Sequence, residues 1–259
     1  VTIIDAVAEL EGQLANTRDY WLGWGSADRC DGELTLYRSG VSHPQLNGVL
    51  RAGGGIAVEE AVAQARERLA GVPWMWWVGP DSRPGLAEGL AAAGAAEVAT
   101  MPVMAVALDR VTMPDGPAGL RIEEVTGADA LREWVSAYAP SFGVMPDQVE
   151  QVTRVEEWRG DEEGAIVRFA GRLDGRVVGT SVLLDRRGVA GIYVVTTREG
   201  YRRRGIGAAL TAAALQEGRE RGLRVATLQA SAMGAPVYRR MGFEVVSAYR
   251  MFTLPPAAG

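Results

Sequence analysis

The sequence predicts an α/β fold, a central sheet flanked by helices, present as two tandem copies. Three observations predict it. Short hydrophobic strands alternate with helices of 3.6-residue period through residues 120–254. The segment Met113-Pro-Asp-Gly-Pro-Ala-Gly119 disfavours both helix and strand, and it divides the 259 residues into halves of ordinary domain size, 1–112 and 119–255. The helix–Gly–strand ending of the second half also has an echo in the first.

In the second half, Leu120 to Val125 reads as a short strand. Ala128 to Tyr138 and Asp147 to Trp158 read as helices, the second opened by Pro146-Asp147. Ala165 to Leu173 and Arg176 to Leu184 are strands joined by the two-residue turn Asp174-Gly175. Val189 to Val195 is a further strand, and Thr196 to Arg204 a loop. A helix runs from Gly205 to Arg221 and is ended by Gly222. Leu223 to Ala230 is a strand, Ala235 to Met241 a short helix, and Phe243 to Leu254 the final strands.

The echo lies between Val58 and Gly94. A helix over Val58 to Ala70 is ended by Gly71, Trp74 to Val78 matches the strand at Val225 to Gln229, and a helix over Gly85 to Ala93 precedes Gly94 as Ala235 to Met241 precedes Gly242. The pattern predicts a duplicated domain.

Composition bounds the function. Hydrophobic residues make up 47% and charged residues 23%, enough to build a core, and no apolar run is long enough to span a membrane. Val1 to Leu10 carries Asp5 and Glu9 without a basic start, so no signal peptide is expected. The single cysteine, Cys30, excludes an intrachain disulfide framework and a cysteine-rich metal site, and a reducing, cytoplasmic setting is expected. All 27 basic residues are arginine; residues 1–118 hold 8 of them against 15 acids, residues 119–259 hold 19 against 17. Neither half is basic enough for a nucleic-acid binder. No metal, nucleic-acid or membrane partner is expected, and a homodimer is left open.

The positive charge that matters is local. In Val194-Val-Thr-Thr-Arg-Glu-Gly-Tyr-Arg-Arg-Arg-Gly-Ile-Gly-Ala208 a strand leads through a basic loop into a helix. The first turn of a helix leaves its N–H groups without intrahelical partners, and they and the helix dipole favour an anion. Gly205 and Gly207 let the backbone approach phosphate oxygens, and Arg202, Arg203 and Arg204 add charge for a pyrophosphate. No Gly-Lys-Ser/Thr follows, so this is not a Walker loop. The third glycine of the dinucleotide fingerprint is missing too.

Arg202-Arg203-Arg204-Gly205-Ile206-Gly207 resembles the Arg/Gln-x-x-Gly-x-Gly/Ala signature of the GCN5-related N-acetyltransferases (GNATs). The resemblance extends over Leu120 to Leu254 and includes the ending Val237-Tyr-Arg-Arg-Met-Gly-Phe243. It implies two GNAT-like domains, each with a mixed and mostly antiparallel central sheet, and acetyl-CoA as donor, with pantetheine along the backbone of Tyr193, Val194 and Val195, where a bulge splays two strands. It puts the pyrophosphate on the amides of Arg203, Arg204, Gly205, Ile206, Gly207 and Ala208. Tyr238 stands where the family often has the acid that protonates the departing thiolate. A phenol of pKa about 10 is protonated at neutral pH and suits that role. An oxyanion donor would be a backbone amide near Val195. The family's frequent asparagine after the fifth strand is replaced by Ala230-Ser231-Ala232, where Ser231 can offer a hydrogen bond. Arg203 replaces a frequent glycine.

No acid lies in Val189 to Val195, a common source of the general base. Glu123, Glu124, Glu156 and Glu157 qualify by charge alone, and His43 and Cys30 lie in the first half. Aligning Gly71 with Gly222 puts Arg51 on Arg202, Gly54 on Gly205 and Ile56 on Gly207; aligning Gly94 with Gly242 puts Leu90 on Tyr238. The first half therefore reads as a degenerate copy, and Trp74, Trp76 and Trp77 as core or cleft residues of it. The function that follows is N-acetyl transfer to a small primary amine. A non-catalytic acyl-CoA sensor and transfer of another acyl group are the alternatives.

Overall fold

A computed structural model describes residues 7–255. The chain forms two compact units. Unit one comprises the residues up to Asn16 together with Val103–Val246; unit two comprises Thr17–Pro102 and the residues from Ser247 on. Met113–Gly119 thus lies within unit one, and each unit takes in segments from both halves of the sequence.

In chain order the elements are α1 (Leu10–Leu22), β1 (Asp28–Cys30), β2 (Leu34–Arg38), β3 (Asn47–Ala52), α2 (Val58–Arg68), β4 (Met75–Val78), α3 (Leu86–Ala92) and β5 (Ala96–Ala107). They continue with β6 (Arg121–Glu124), α4 (Ala128–Tyr138), α5 (Val149–Trp158), β7 (Ile166–Leu173), β8 (Arg176–Arg186), β9 (Val189–Thr197), α6 (Ile206–Glu220), β10 (Val225–Gln229), α7 (Ala235–Arg240) and β11 (Glu244–Thr253). The expected elements of the second half are present. Phe243 to Leu254, expected as strands in the plural, is the single strand β11.

The sheet of unit one has the order β5-β10-β9-β8-β7-β6. Residues Val103–Ala107 of β5 run antiparallel to β10, β10 runs parallel to β9, and the β9-β8-β7-β6 ladders are antiparallel. The turn between β7 and β8 is set by its two residues: Asp174 and Gly175 both hold positive φ, 50° and 77°, as a tight two-residue hairpin requires. Leu183, Ile192, Ala214, Leu215, Leu228 and Phe243 form the buried core.

Unit two repeats the frame. Its sheet has the order β1-β2-β3-β4-β11, with β3 and β4 parallel as β9 and β10 are in unit one. Gly71 and Gly94 hold φ of 81° and 86° after α2 and α3; Gly222 and Gly242 hold 80° and 99° after α6 and α7. These four glycines end the helices in a conformation a β-carbon disfavours. Trp76 is fully buried in one core with Val49, Leu69, Leu90 and Phe252. Trp77 packs against Trp21 and Tyr249 at ring-centroid distances of 5.2 and 5.6 Å. Both are core residues, and Trp74 lies tilted against Trp76.

Among the described residues no helix is long and apolar enough to cross a membrane, and no cluster of His, Cys, Asp and Glu could hold a metal ion.

Asn16 of α1, wholly buried, ties its helix to the β8–β9 hairpin. Its side-chain amide donates to the carbonyls of Leu184, Arg186 and Val189 at 3.1, 2.9 and 3.0 Å. Its carbonyl accepts from the Tyr193 hydroxyl at 2.7 Å. A β-carbon on Gly191 would collide with that same carbonyl oxygen, so glycine is needed there. Buried polar groups left without partners cost about 1–3 kcal/mol each. Asn16→Ala should therefore lower unfolding stability by about 2–4 kcal/mol in a denaturant titration. A loss below about 0.5 kcal/mol would show that the hairpin does not depend on it.

Candidate active site

The first turn of α6 is open. Gly205, at its start, holds φ 82° and ψ −2°, and no side chain caps the helix. The amide of Ala209 is the first to bond within the turn, to the Gly205 carbonyl at 3.0 Å. The preceding amides of Gly205 to Ala208 have no i−4 partner to reach. Gly207 lies beside the end of β9: a β-carbon on it would sit 3.4 Å from Thr197 Oγ1 and 3.9 Å from Val195 Cγ1. The first residue of the helix, Ile206, is buried and anchors the turn in a small core with Leu173, Val178 and Leu210.

Arg202, Arg203 and Arg204 are exposed around this turn. The Arg202 Nε donates to the Thr197 carbonyl at 3.3 Å, and the Arg204 guanidinium lies 5.6 Å from the centre of the Tyr201 ring. Among the described residues no carboxylate pairs with any of the three. Arg203 holds φ 61°, a left-handed conformation that costs a non-glycine residue about 1 kcal/mol. That is the physical reason the motif often has glycine at this place. Three guanidinium groups and a dipole end give the turn an unneutralised positive field.

Next to the turn, β9 carries a bulge. β9 pairs with β8 as Val182↔Tyr193 and then as Thr180↔Thr196, so Val194 and Val195 together face the single residue Ser181. Val194 holds φ 49°. A β-branched residue there is a true outlier, worth about 1–3 kcal/mol of strain. The parallel ladder between β9 and β10 comprises Ala190↔Ala226 and Gly191↔Thr227 and stops there. From Ile192 on, the two strands part. Tyr193 is buried and hydrogen-bonded to Asn16, whereas Val195 packs on the core that contains Tyr238.

Tyr238, in α7, is 8% exposed and meets Phe243 edge-on at 5.8 Å. Burial pushes its phenol up to about 12. Thr211 of α6 donates to the Gly207 carbonyl at 2.9 Å. Ser231 is exposed and opens the turn into α7. Its hydroxyl accepts from the Gly234 amide at 3.1 Å, a local bond that leaves its own proton to donate.

Two of the candidate bases are held elsewhere. Glu123 pairs with Arg172 at 2.8 Å. Glu156 is buried, pairs with Arg168 at 2.7 Å and accepts from the Tyr138 hydroxyl at 3.4 Å. Glu124 and Glu157 are exposed. His43 and Cys30 belong to unit two, where the His43 Nδ1 accepts from the Gln45 amide and the Cys30 thiol donates to the Leu34 carbonyl.

In unit two, the counterpart of the open turn is filled. The Gly55 amide donates to the Glu33 carboxylate at 2.8 Å, and the Gly53 amide to the Glu33 carbonyl at 2.6 Å. Arg51 turns away to the carbonyls of Asp81 and Gly32. Helix α2 begins only at Val58, after Ile56 and Ala57, so the turn that α6 opens at Ile206 is unwound here. Leu90, the counterpart of Tyr238, is fully buried.

The profile of the acetyltransferase (GNAT) family matches residues 128–243. A mycothiol acetyltransferase of Clavibacter michiganensis subsp. michiganensis is 32% identical over 244 residues, covering 82% of this chain and 78% of the relative. In fold, the chain is similar to a GCN5-related N-acetyltransferase from Kribbella flavida, with a TM-score of 0.70 at 22% identity over 95% of each chain. It is also similar to a tandem GNAT protein from the clavulanic acid biosynthesis pathway, with a TM-score of 0.61 at 15% identity over 98% of each.

The raised phenol has a consequence for stability. Its folded pKa lies above the unfolded value of about 10, so the stabilisation is complete below pH 10 and is lost as pH rises toward 12. Between pH 9 and pH 11.5 the native protein should lose about 2 kcal/mol more stability than Tyr238→Phe in parallel denaturant titrations. Equal losses would place the phenol in water.

Proposed function

Since the chain belongs to the acetyltransferase (GNAT) family and is an N-acetyltransferase, we propose that it moves the acetyl group of acetyl-CoA directly onto the primary amine of a small acceptor. Residues 119–255 act as the catalytic copy, and residues 1–112 are a degenerate one. The observation that carries this reading is the open, uncapped first turn of α6 beside the bulged end of β9. Acetyl-CoA brings the activated thioester; the remaining chemistry belongs to the chain.

The amides of Arg203, Arg204, Gly205, Ile206, Gly207 and Ala208 receive the pyrophosphate, and Arg202, Arg203 and Arg204 supply opposite charge. The fit rests on Gly205 and Gly207, whose missing β-carbons leave the amides accessible, and on the lack of a capping side chain. Pantetheine lies along Tyr193, Val194 and Val195, where β9 has left β10, and Ser231 donates a hydrogen bond to it from the far side. The Val195 amide faces the acyl oxygen and stabilises the charge that develops there. As the amine nitrogen bonds the acyl carbon and the carbon–sulfur bond breaks, the Tyr238 hydroxyl gives its proton to sulfur. A proton shed by the amine reaches solvent, and the phenolate is reprotonated from it.

With Glu123 and Glu156 held in ion pairs and no acid on β9, the acceptor arrives as the free amine or loses its proton to water. Turnover then rises with pH toward the acceptor's own pKa, and Tyr238, at about 12, remains an acid throughout that range. The relative that is a mycothiol acetyltransferase supports a small acceptor over a protein one.

Two measurements test this. Calorimetry with CoA should give one site per chain; two sites would overturn the degenerate-copy assignment. In a thiol-release assay over a panel of amines, Tyr238→Phe should lower kcat by about 100-fold with CoA affinity unchanged. Tight CoA binding without turnover on every amine would instead make the chain an acyl-CoA sensor.

A further inference from the structure

The bulge in β9 needs something to hold it, because Val194 occupies a backbone conformation that a β-branched residue leaves readily. Its carbonyl accepts a hydrogen bond from the Thr180 hydroxyl at 2.7 Å. The Thr180 oxygen lies 2.7 Å from the Thr196 hydroxyl. Since the Thr180 proton goes to Val194, the Thr196 proton goes to Thr180, and the two hydroxyls form a directed chain ending on the bulge. Thr180 is fully buried and Thr196 is 7% exposed, so water has little access to the two hydroxyls. The pair Thr180↔Thr196 is also the register at which the ladder resumes after the bulge.

Unit two supplies an internal comparison. β2 pairs with β3 as Leu36↔Val49 and then Thr35↔Arg51, so Leu50 is an extra residue in β3; it follows the last parallel pair of its strand, Val49↔Trp76, by one residue, whereas Val194 follows Gly191↔Thr227 by three. Leu50 is not among the residues with positive φ. Thr35, which pairs with Arg51 beyond that bulge, turns its hydroxyl to Asp31 and the Gly32 carbonyl. The copy without the acid and the open turn also lacks the hydroxyl chain and the left-handed residue.

We propose that Thr180, backed by Thr196, is a positioning residue for acyl transfer: its hydroxyl pins the Val194 carbonyl and thereby aims the Val195 amide at the acyl oxygen. The inference rests on the reading that the β9 bulge lies along the thioester. It separates two jobs of one strand. The pyrophosphate turn fixes where the donor binds, and the threonine pair fixes the donor hydrogen bond that acts during transfer. A misplacement of about 1 Å at such a donor costs up to about a hundredfold in rate.

The test compares the native protein with Thr180→Val, which keeps the shape and removes the hydroxyl, and with Thr180→Ser, which restores it. Thr180→Val should lower kcat by about tenfold to a hundredfold with CoA affinity by calorimetry within about threefold, and Thr180→Ser should recover most of kcat. A crystal structure of Thr180→Val should show Val194 returned to extended φ. Unchanged kcat in Thr180→Val, equal losses in the Val and Ser variants, or a Val194 still near φ 49° each overturn the proposal. If Thr180→Val does not fold, Thr196→Val carries the test: a severalfold fall in kcat supports the chain of hydroxyls, and none overturns it. Failure of the native protein to acetylate any amine would instead sink the wider functional reading, and the crystallographic φ of Val194 would still decide the clamp.

Discussion

The first turn of α6 exposes a row of backbone amides that its own chain does not satisfy, and much of unit one is arranged around keeping that row open. Gly205 turns the chain into the helix through a left-handed conformation, so no side chain at the cap position can fold back. Gly207 lets the turn stand against the end of β9 without a β-carbon between them. Arg203 tolerates positive φ at this place and contributes charge for the strain it carries. Unpaired amides at a helix start are costly unless water or a ligand takes them. A row kept accessible, ringed by three arginines that pair with no carboxylate among the described residues, is shaped for an anion.

Unit two shows what the same frame does when that demand is absent. Its sheet has the same parallel pair with one strand fewer, and its helices end on left-handed glycines as those of unit one do. Yet Glu33 supplies a carboxylate to the Gly55 amide, Ile56 occupies the place of Gly207, and α2 starts late. The frame is a matter of hydrophobic packing and turn chemistry. The site is a handful of local departures from self-satisfaction, and the protein's own glutamate closes it in one copy.

The parts legible in sequence were those written in local chemistry. Gly222 and Gly71 as helix stops, Asp174-Gly175 as a tight turn, and the glycine pair at the start of α6 all act through backbone freedom of one or two residues. The hydrophobic period then fixes the elements between them. The parts not legible depend on partners far away in the chain. Nothing around Glu33 announces that it will meet Gly55, 22 residues on. Asn16 binds carbonyls at 184–189, and α1 itself has a weakly patterned sequence, so neither the helix nor its anchor stood out. By its own chemistry Val194 reads as an ordinary strand residue; only the resemblance put a bulge at Tyr193 to Val195, and the register of β8 against β9 shows which residue is the extra one. Phe243 to Leu254 lacks a turn signal, consistent with its forming one strand.

A crystal structure of the protein with CoA bound is the most direct test of the claim that the open turn grips a diphosphate. Pyrophosphate oxygens should lie about 2.7–3.2 Å from amides within residues 203–208 and nowhere near Gly53 to Gly55. A diphosphate bound away from α6, or a second one displacing Glu33 from Gly55, would contradict it.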